Sequence, residues 1–153
     1  MSVTSQVIFR TATIEDVPVV LALLADDAVS GAAQGEYGEA HRAAFEAIEA
    51  DPHNELIVAE LDGEVVGTMQ LTYIPGISRG GALRLQIEAV RIAAHLRGRG
   101  LGGQMMRWAV ERGRTRGCAL VQLTTNKVRG DAHRFYDSLG FVASHEGYKL
   151  ALN

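Results

Sequence analysis

Cysteine is almost absent. Cys118 stands alone in 153 residues, so no disulfide can form within the chain. That points to a reducing, cytoplasmic setting. Long apolar runs are missing too. None approaches the roughly 20 residues that a membrane helix needs, so no membrane is expected as a partner. The opening residues, Met1 to Arg10, lack the basic-then-apolar layout of a secretory signal. No internal repeat, low-complexity tract or linker interrupts the sequence. Nor is there a strong net charge. The formal value is −3, which argues against a general nucleic-acid binder. What remains is the composition of an ordinary globule, 47% hydrophobic and 22% charged. A single domain over residues 1–153 is expected. At such a length roughly 68–70% of the unfolded surface is buried.

The charges are unevenly spread. Seven arginines and one glutamate lie from Arg91 to Arg116, whereas two arginines and thirteen acids lie between Met1 and Glu64. A basic stretch on an acidic chain points to a particular anionic ligand; the plain alternative is a solvated helix face.

Short elements follow one another. Residues 7–10 read as a strand. Thr13 is a helix N-cap, and Val17, Val20, Leu21 and Leu24 carry helical spacing to about Ala25. A loop over residues 26–38 leads to a second helix over 39–50, which Asp51-Pro52 stops. Strands over 56–61 and 64–74 flank the turn Asp62-Gly63. A loop over 75–81 precedes the strand 82–92. Then come a helix over 101–114, an uncharged and therefore central strand over 118–125, and a helix over 131–139 that Gly140 ends. Residues 141–145 and 148–150 form a closing hairpin. The fold class is α/β. We expect a mixed, mostly antiparallel sheet of six to seven strands with a parallel β-α-β crossover and helices on both faces.

The strand over 82–92 carries a fault. Leu83, Leu85 and Ile87 are apolar on odd positions, but Val90 and Ile92 are apolar on even ones. A period of two changes phase only through an extra residue, so we expect a β-bulge near Glu88-Ala89. The alternative is a strand buried on both faces.

Next comes the segment Arg97, Gly98, Arg99, Gly100, Leu101, Gly102, Gly103, between strand and helix. Glycines let backbone N–H groups approach a ligand, and a helix N-terminus adds unpaired donors and partial positive charge. With two arginines, this is a phosphate or pyrophosphate site. A Walker loop is excluded, because Gln104 follows Gly103 where Lys-Ser/Thr is needed. A dinucleotide fingerprint matches at Gly98, Gly100 and Gly103. It lacks the acidic residue at the end of the following strand, where Val121 to Thr125 stand.

The bulged strand with Val90, Arg91 and Ile92, followed by the Arg-Gly loop, resembles the acetyl-CoA loop of the GNAT N-acetyltransferase superfamily. Ala132, Phe135, Tyr136, Gly140 and Phe141 resemble that family's Ala-x-x-Phe-Tyr-x-x-x-Gly-Phe element, and the element order is similar along essentially the whole chain. One departure is Ala94, where many members have proline. The Asp62-Gly63 hairpin and the stretch from Thr125 to Tyr136 are also similar to small aminoalkylphosphonate N-acetyltransferases. The acidic N-terminal half, by contrast, suits a cationic amine.

The resemblance implies an acyltransferase that moves acetyl from acetyl-CoA to a primary amine of a small molecule, by direct transfer through a tetrahedral intermediate. It implies acetyl-CoA contacts at Val90, Arg91, Ile92, residues 97–103, Asn126, His133 and Phe135. Tyr136 matches the family's general acid; its other reading is a core side chain beside Phe135 and Leu139. Free alkylamines are protonated at neutral pH, so a base is needed. Glu88 at the bulge is the candidate, directly or through water, with His133 as the other. Glu36, Tyr37 and Tyr73 are expected at the substrate. The five histidines show no metal spacing, so no metal is expected, and Cys118 reads as a small core residue. A homodimer is common in the family. Two alternatives stay open: acetylation of a protein lysine or N-terminal amine, and a non-catalytic acyl-CoA-binding module.

Overall fold

The computed structural model describes residues 6–26, 35–125 and 130–152. Residues up to Leu123 form one unit and Thr124–Asn153 a second.

The first unit holds β1 (Val7–Thr11), α1 (Val17–Ala25), α2 (Glu39–Ala50), β2 (Asn54–Leu61), β3 (Glu64–Pro75), a helical turn α3 (Ser78–Gly81), β4 (Leu83–Ile92), α4 (Leu101–Thr115) and β5 (Leu120–Leu123). Local chemistry sets the boundaries. Thr13 precedes a short 3-10 turn whose Asp16 carboxylate accepts the Thr13 backbone N–H at 2.7 Å. Arg10 also donates to that carboxylate. Asp62 and Gly63, with φ of 51° and 80°, make the tight turn joining β2 and β3.

The strands lie in the order β1-β2-β3-β4-β5, antiparallel except for the parallel pair β4 and β5. This corrects two expectations. Among the described residues β5 is the last strand of the sheet, and β3 is the central one. Lack of charge in β5 reflects partial burial and not a place in the middle. Among the described residues the sheet has five strands and not six or seven.

Helices cover both faces. Ala12, Val17, Val20, Phe45 and Val58 join α1 and α2 to one face. On the other, α4 sets Trp108 against Phe9, with ring centroids 5.6 Å apart. It also lays Met105 over Gly67, where a Cβ would meet the Met105 sulfur at 3.2 Å and the Ala59 Cβ at 3.3 Å. Glycine is needed there for close approach of helix to sheet.

The second unit holds α5 (Gly130–Ser138). Gly140, at φ 92°, ends it, and the Phe141 N–H closes back on the Tyr136 carbonyl at 3.1 Å. Residues 141–152 carry no strand, in place of the expected closing hairpin. Val142, Tyr148, Leu150 and Leu152 are exposed there. A lone two-stranded hairpin is marginal without a further strand or helix to cover its apolar face.

Candidate active site

The expected bulge is present. Thr68 pairs with Arg91 and Gln70 with Glu88, so Met69 faces two residues, Ala89 and Val90. Ala89 absorbs the extra length at φ 55°, a left-handed conformation that costs a residue with a Cβ roughly 1–2 kcal/mol. The parallel ladder of β4 with β5 ends at Ile87↔Leu123, immediately before the bulge. Beyond it, the Ala93 N–H bonds the Val66 carbonyl at 2.8 Å. Backbone groups alternate sides along a ladder, so those of Val90 and Ile92 face away from β3, toward the side that β5 has left. Their carbonyls accept from arginines: Val90 from Arg91 at 2.8 Å and Ile92 from Arg97 at 3.3 Å.

The loop after β4 delivers the second feature. Gly100, at φ 86° and ψ 0°, is the N-cap of α4, and no side chain caps this end. The first intrahelical bond runs from the Gln104 N–H to the Gly100 carbonyl. The N–H groups of Leu101, Gly102 and Gly103 belong to the first turn, whose donors have no intrahelical acceptor. Arg97 and Arg99 stand exposed beside them. Arg97 also reaches Asp26 at the end of α1, at 3.4 Å. This set of donors and cations fits a pyrophosphate, and the freed edge at Val90 and Ile92 fits an amide-bearing arm.

Glu88 is exposed on the β4 face opposite α4. Its Oε1 accepts from Gln86 Nε2 at 3.1 Å, and Gln86 Oε1 accepts from Gln122 Nε2 at 2.9 Å. A neighbouring polar group centres on Asn54, whose Oδ1 accepts from Thr72 at 2.8 Å and Gln70 at 3.3 Å. Arg84, two residues before Gln86, is half-buried and has no ion-pair partner among the described residues. Sequence reasoning missed Gln86, Gln122 and Arg84. The signal available was Gln122, a polar residue inside an otherwise apolar strand.

The expected substrate residues part company. Glu36 is exposed. Tyr37 lies just before α2, stacked on His41 at 6.2 Å with the Arg42 guanidinium 5.6 Å from its ring centre. Tyr73 does not meet its expectation. It is 1% exposed, its hydroxyl donates to Glu55 at 2.8 Å, and Arg116 lies 4.0 Å over its ring. Burial, then the Glu55 carboxylate, pushes its phenol well above the ordinary value. Arg112 donates to both oxygens of Glu55 and holds that carboxyl below its usual range, against desolvation. Tyr73 is thus part of a structural network: its odd position on β3 points it toward α4.

Tyr136, in the second unit, is half-buried between Phe135 and Phe141, with ring centroids 5.1 and 5.7 Å away. Phe135 is half-buried and His133 exposed. Asn126 lies outside the described residues. Burial raises the Cys118 thiol above its ordinary value, which suits an inert packing residue.

Comparison with known proteins bears on this arrangement. The description "Acetyltransferase (GNAT) family" matches residues 21–141. An aminoalkylphosphonate N-acetyltransferase of Salmonella typhimurium is 34% identical over 143 residues, covering 94% of this chain and 90% of that protein. A glucosamine 6-phosphate N-acetyltransferase of Trypanosoma brucei brucei is 33% identical over 90 residues, 59% of each chain. Among solved structures, a Bacillus halodurans C-125 protein described as a transcriptional regulator has a TM-score of 0.90 at 43% identity. That match covers 96% of this chain and 100% of the other. The bulged strand, the arginine-glycine loop and the family match lead to one conclusion: the chain belongs to the GNAT acetyltransferase family and is an N-acetyltransferase.

Proposed function

We propose that the protein transfers the acetyl group of acetyl-CoA to the primary amine of a small acceptor that also carries an anionic group, with aminoalkylphosphonates as the first class to test. The observation that carries the transfer is the Ala89 bulge, which frees the Val90 and Ile92 backbone one short loop before the uncapped N-terminus of α4. The anionic acceptor is supported by the relative that spans nearly the whole chain, an aminoalkylphosphonate N-acetyltransferase. Arg84 supports it too, as a half-buried cation without an ion-pair partner among the described residues, on the Glu88 face. This departs from the cationic amine that the acidic N-terminal half favours.

In this reading the N–H groups of residues 97–103, with Arg97 and Arg99, hold the pyrophosphate. Val90 and Ile92 hold the pantetheine amides, and the Val90 N–H polarises the thioester carbonyl. Arg91, Asn126, His133 and Phe135 complete the acetyl-CoA site, and Glu36 and Tyr37 border the acceptor. Glu88 takes a proton from the ammonium, directly or through water. The amine lone pair attacks the carbonyl carbon, forming the C–N bond. The C–S bond breaks, its electron pair passes to sulfur, Tyr136 protonates the departing thiolate, and the second proton leaves the new amide nitrogen for the Tyr136 phenolate by way of solvent.

The test is thiol release from acetyl-CoA against aminoalkylphosphonates, sugar amines, polyamines, aminoglycosides, amino acids and peptides. Saturable turnover of an aminoalkylphosphonate supports the reading. Turnover of peptide amines alone assigns a protein acetyltransferase instead. Thermal stabilisation by acetyl-CoA with no turnover of any amine leaves an acyl-CoA-binding module.

A further inference from the structure

The molecule holds a polar chain that the transfer chemistry does not by itself require. Gln86 and Gln122 are directly paired across the parallel β4–β5 ladder, one rung before it ends. Gln122 Nε2 donates to Gln86 Oε1 at 2.9 Å, and Gln86 Nε2 donates to Glu88 Oε1 at 3.1 Å. The order of this chain is fixed by chemistry. An ionised carboxylate only accepts, so Gln86 must turn its NH2 toward Glu88. Its oxygen is then left for the Gln122 NH2. Each link polarises the next, and the last bond is assisted by the carboxylate charge.

The surroundings leave Glu88 to this chain. Gln70 stands directly opposite Glu88 on β3, yet its amide turns to Asn54 at 3.3 Å. Thr72, opposite Gln86, also turns to Asn54, at 2.8 Å. Glu88 is exposed and precedes Ala89, the residue with φ 55°. An exposed carboxylate on a strand samples several rotamers. Gln86 narrows that choice.

We infer that Gln86, held by Gln122, is a positioning residue for the reaction: it fixes the Glu88 carboxylate so that one oxygen is engaged and the other faces the acceptor amine. The inference rests on Glu88 acting as the base. Gln86 itself touches neither the acetyl group nor the amine. Removing its donor leaves Glu88 charged but wandering. The expected loss is therefore in kcat, with acetyl-CoA affinity unchanged.

The experiment uses Gln86→Met, which keeps length and volume but donates nothing, made in the wild-type and Glu88→Gln backgrounds. With 2-aminoethylphosphonate as acceptor, Gln86→Met lowers kcat about tenfold in wild type, the order expected for a hydrogen bond to a charged group. It changes nothing further in Glu88→Gln, and Gln122→Met gives a smaller loss of the same kind. If Glu88→Gln slows transfer but Gln86→Met does not, the inference fails and the base assignment stands. An equal loss in both backgrounds makes Gln86 merely structural. If Glu88→Gln is harmless, the base assignment itself fails. A second readout needs no acceptor. The side-chain NH2 resonances of Gln86 move when the charged carboxylate is replaced by the neutral amide in Glu88→Gln. Resonances that do not move overturn the inference.

Discussion

Ala89 stands opposite Met69 as the extra residue of β4, at φ 55°, and the β4–β5 ladder stops two residues before it. The left-handed backbone is kept although alanine resists it. Ala89→Gly should relieve this cost and raise stability by about 1 kcal/mol, with the acetyl-CoA dissociation constant held within about twofold. Ala89→Val should do the opposite and weaken acetyl-CoA binding, because a β-branched residue drives the strand back toward regular pairing. Denaturant unfolding and calorimetric titration measure both. Equal affinity in all three proteins would separate the bulge from the binding site.

The bulge was legible in the sequence because β4 writes it twice: apolar residues through Ile87 are odd, and from Val90 they are even. The Asp62-Gly63 turn and the bounds of α2 were legible for similar reasons, since turn and stop residues act locally. Tyr73 was not. An aromatic at an alternating position looks the same whether it faces solvent or a helix, and only the pairing with β2, which supplies Glu55, and the C-terminal end of α4, which supplies Arg112 and Arg116, surround it. That β5 is the last strand among the described residues was hidden too, because burial by a helix and burial by two neighbouring strands both select uncharged residues. The Gln122–Gln86–Glu88 chain depends on strand register, which no single strand encodes.

The arginine-glycine loop should behave as an anion site. Arg97→Ala and Arg99→Ala should each weaken acetyl-CoA binding several-fold at low salt, with the difference shrinking as ionic strength rises. Gly100→Val should weaken it more, since φ 86° disfavours a branched side chain at the N-cap of α4. Calorimetric titration at two salt concentrations checks this. Wild-type affinity in the Gly100 variant would place the pyrophosphate elsewhere.

Gly67→Ala tests the packing of α4 on the sheet. The new methyl would sit 3.2 Å from the Met105 sulfur and 3.3 Å from the Arg91 carbonyl. Overpacking of this kind costs roughly 1–3 kcal/mol. Thermal unfolding should show a clear drop, and no drop would mean that Met105 yields freely.

The Glu55 network makes stability depend on acid. Arg112, with help from Tyr73 and Arg116, holds the folded-state Glu55 carboxyl below its ordinary value. The stabilisation is therefore complete above the unfolded glutamate range and fades as the pH falls through the lowered folded-state value. Glu55→Gln should cost about 2 kcal/mol at neutral pH, the scale of hydrogen bonds to a charged group. The gap between variant and wild type should narrow toward strongly acidic pH. A gap that is constant with pH would show that the charge of Glu55 contributes nothing.

The most direct test of the central claim is single-turnover thiol release from acetyl-CoA with 2-aminoethylphosphonate, comparing wild type with Tyr136→Phe. A general acid contributes on the order of 100-fold or more. Tyr136→Phe should lose at least that order in rate while its acetyl-CoA affinity stays intact. Transfer at the wild-type rate would contradict the claim and leave Tyr136 as a packing residue between Phe135 and Phe141.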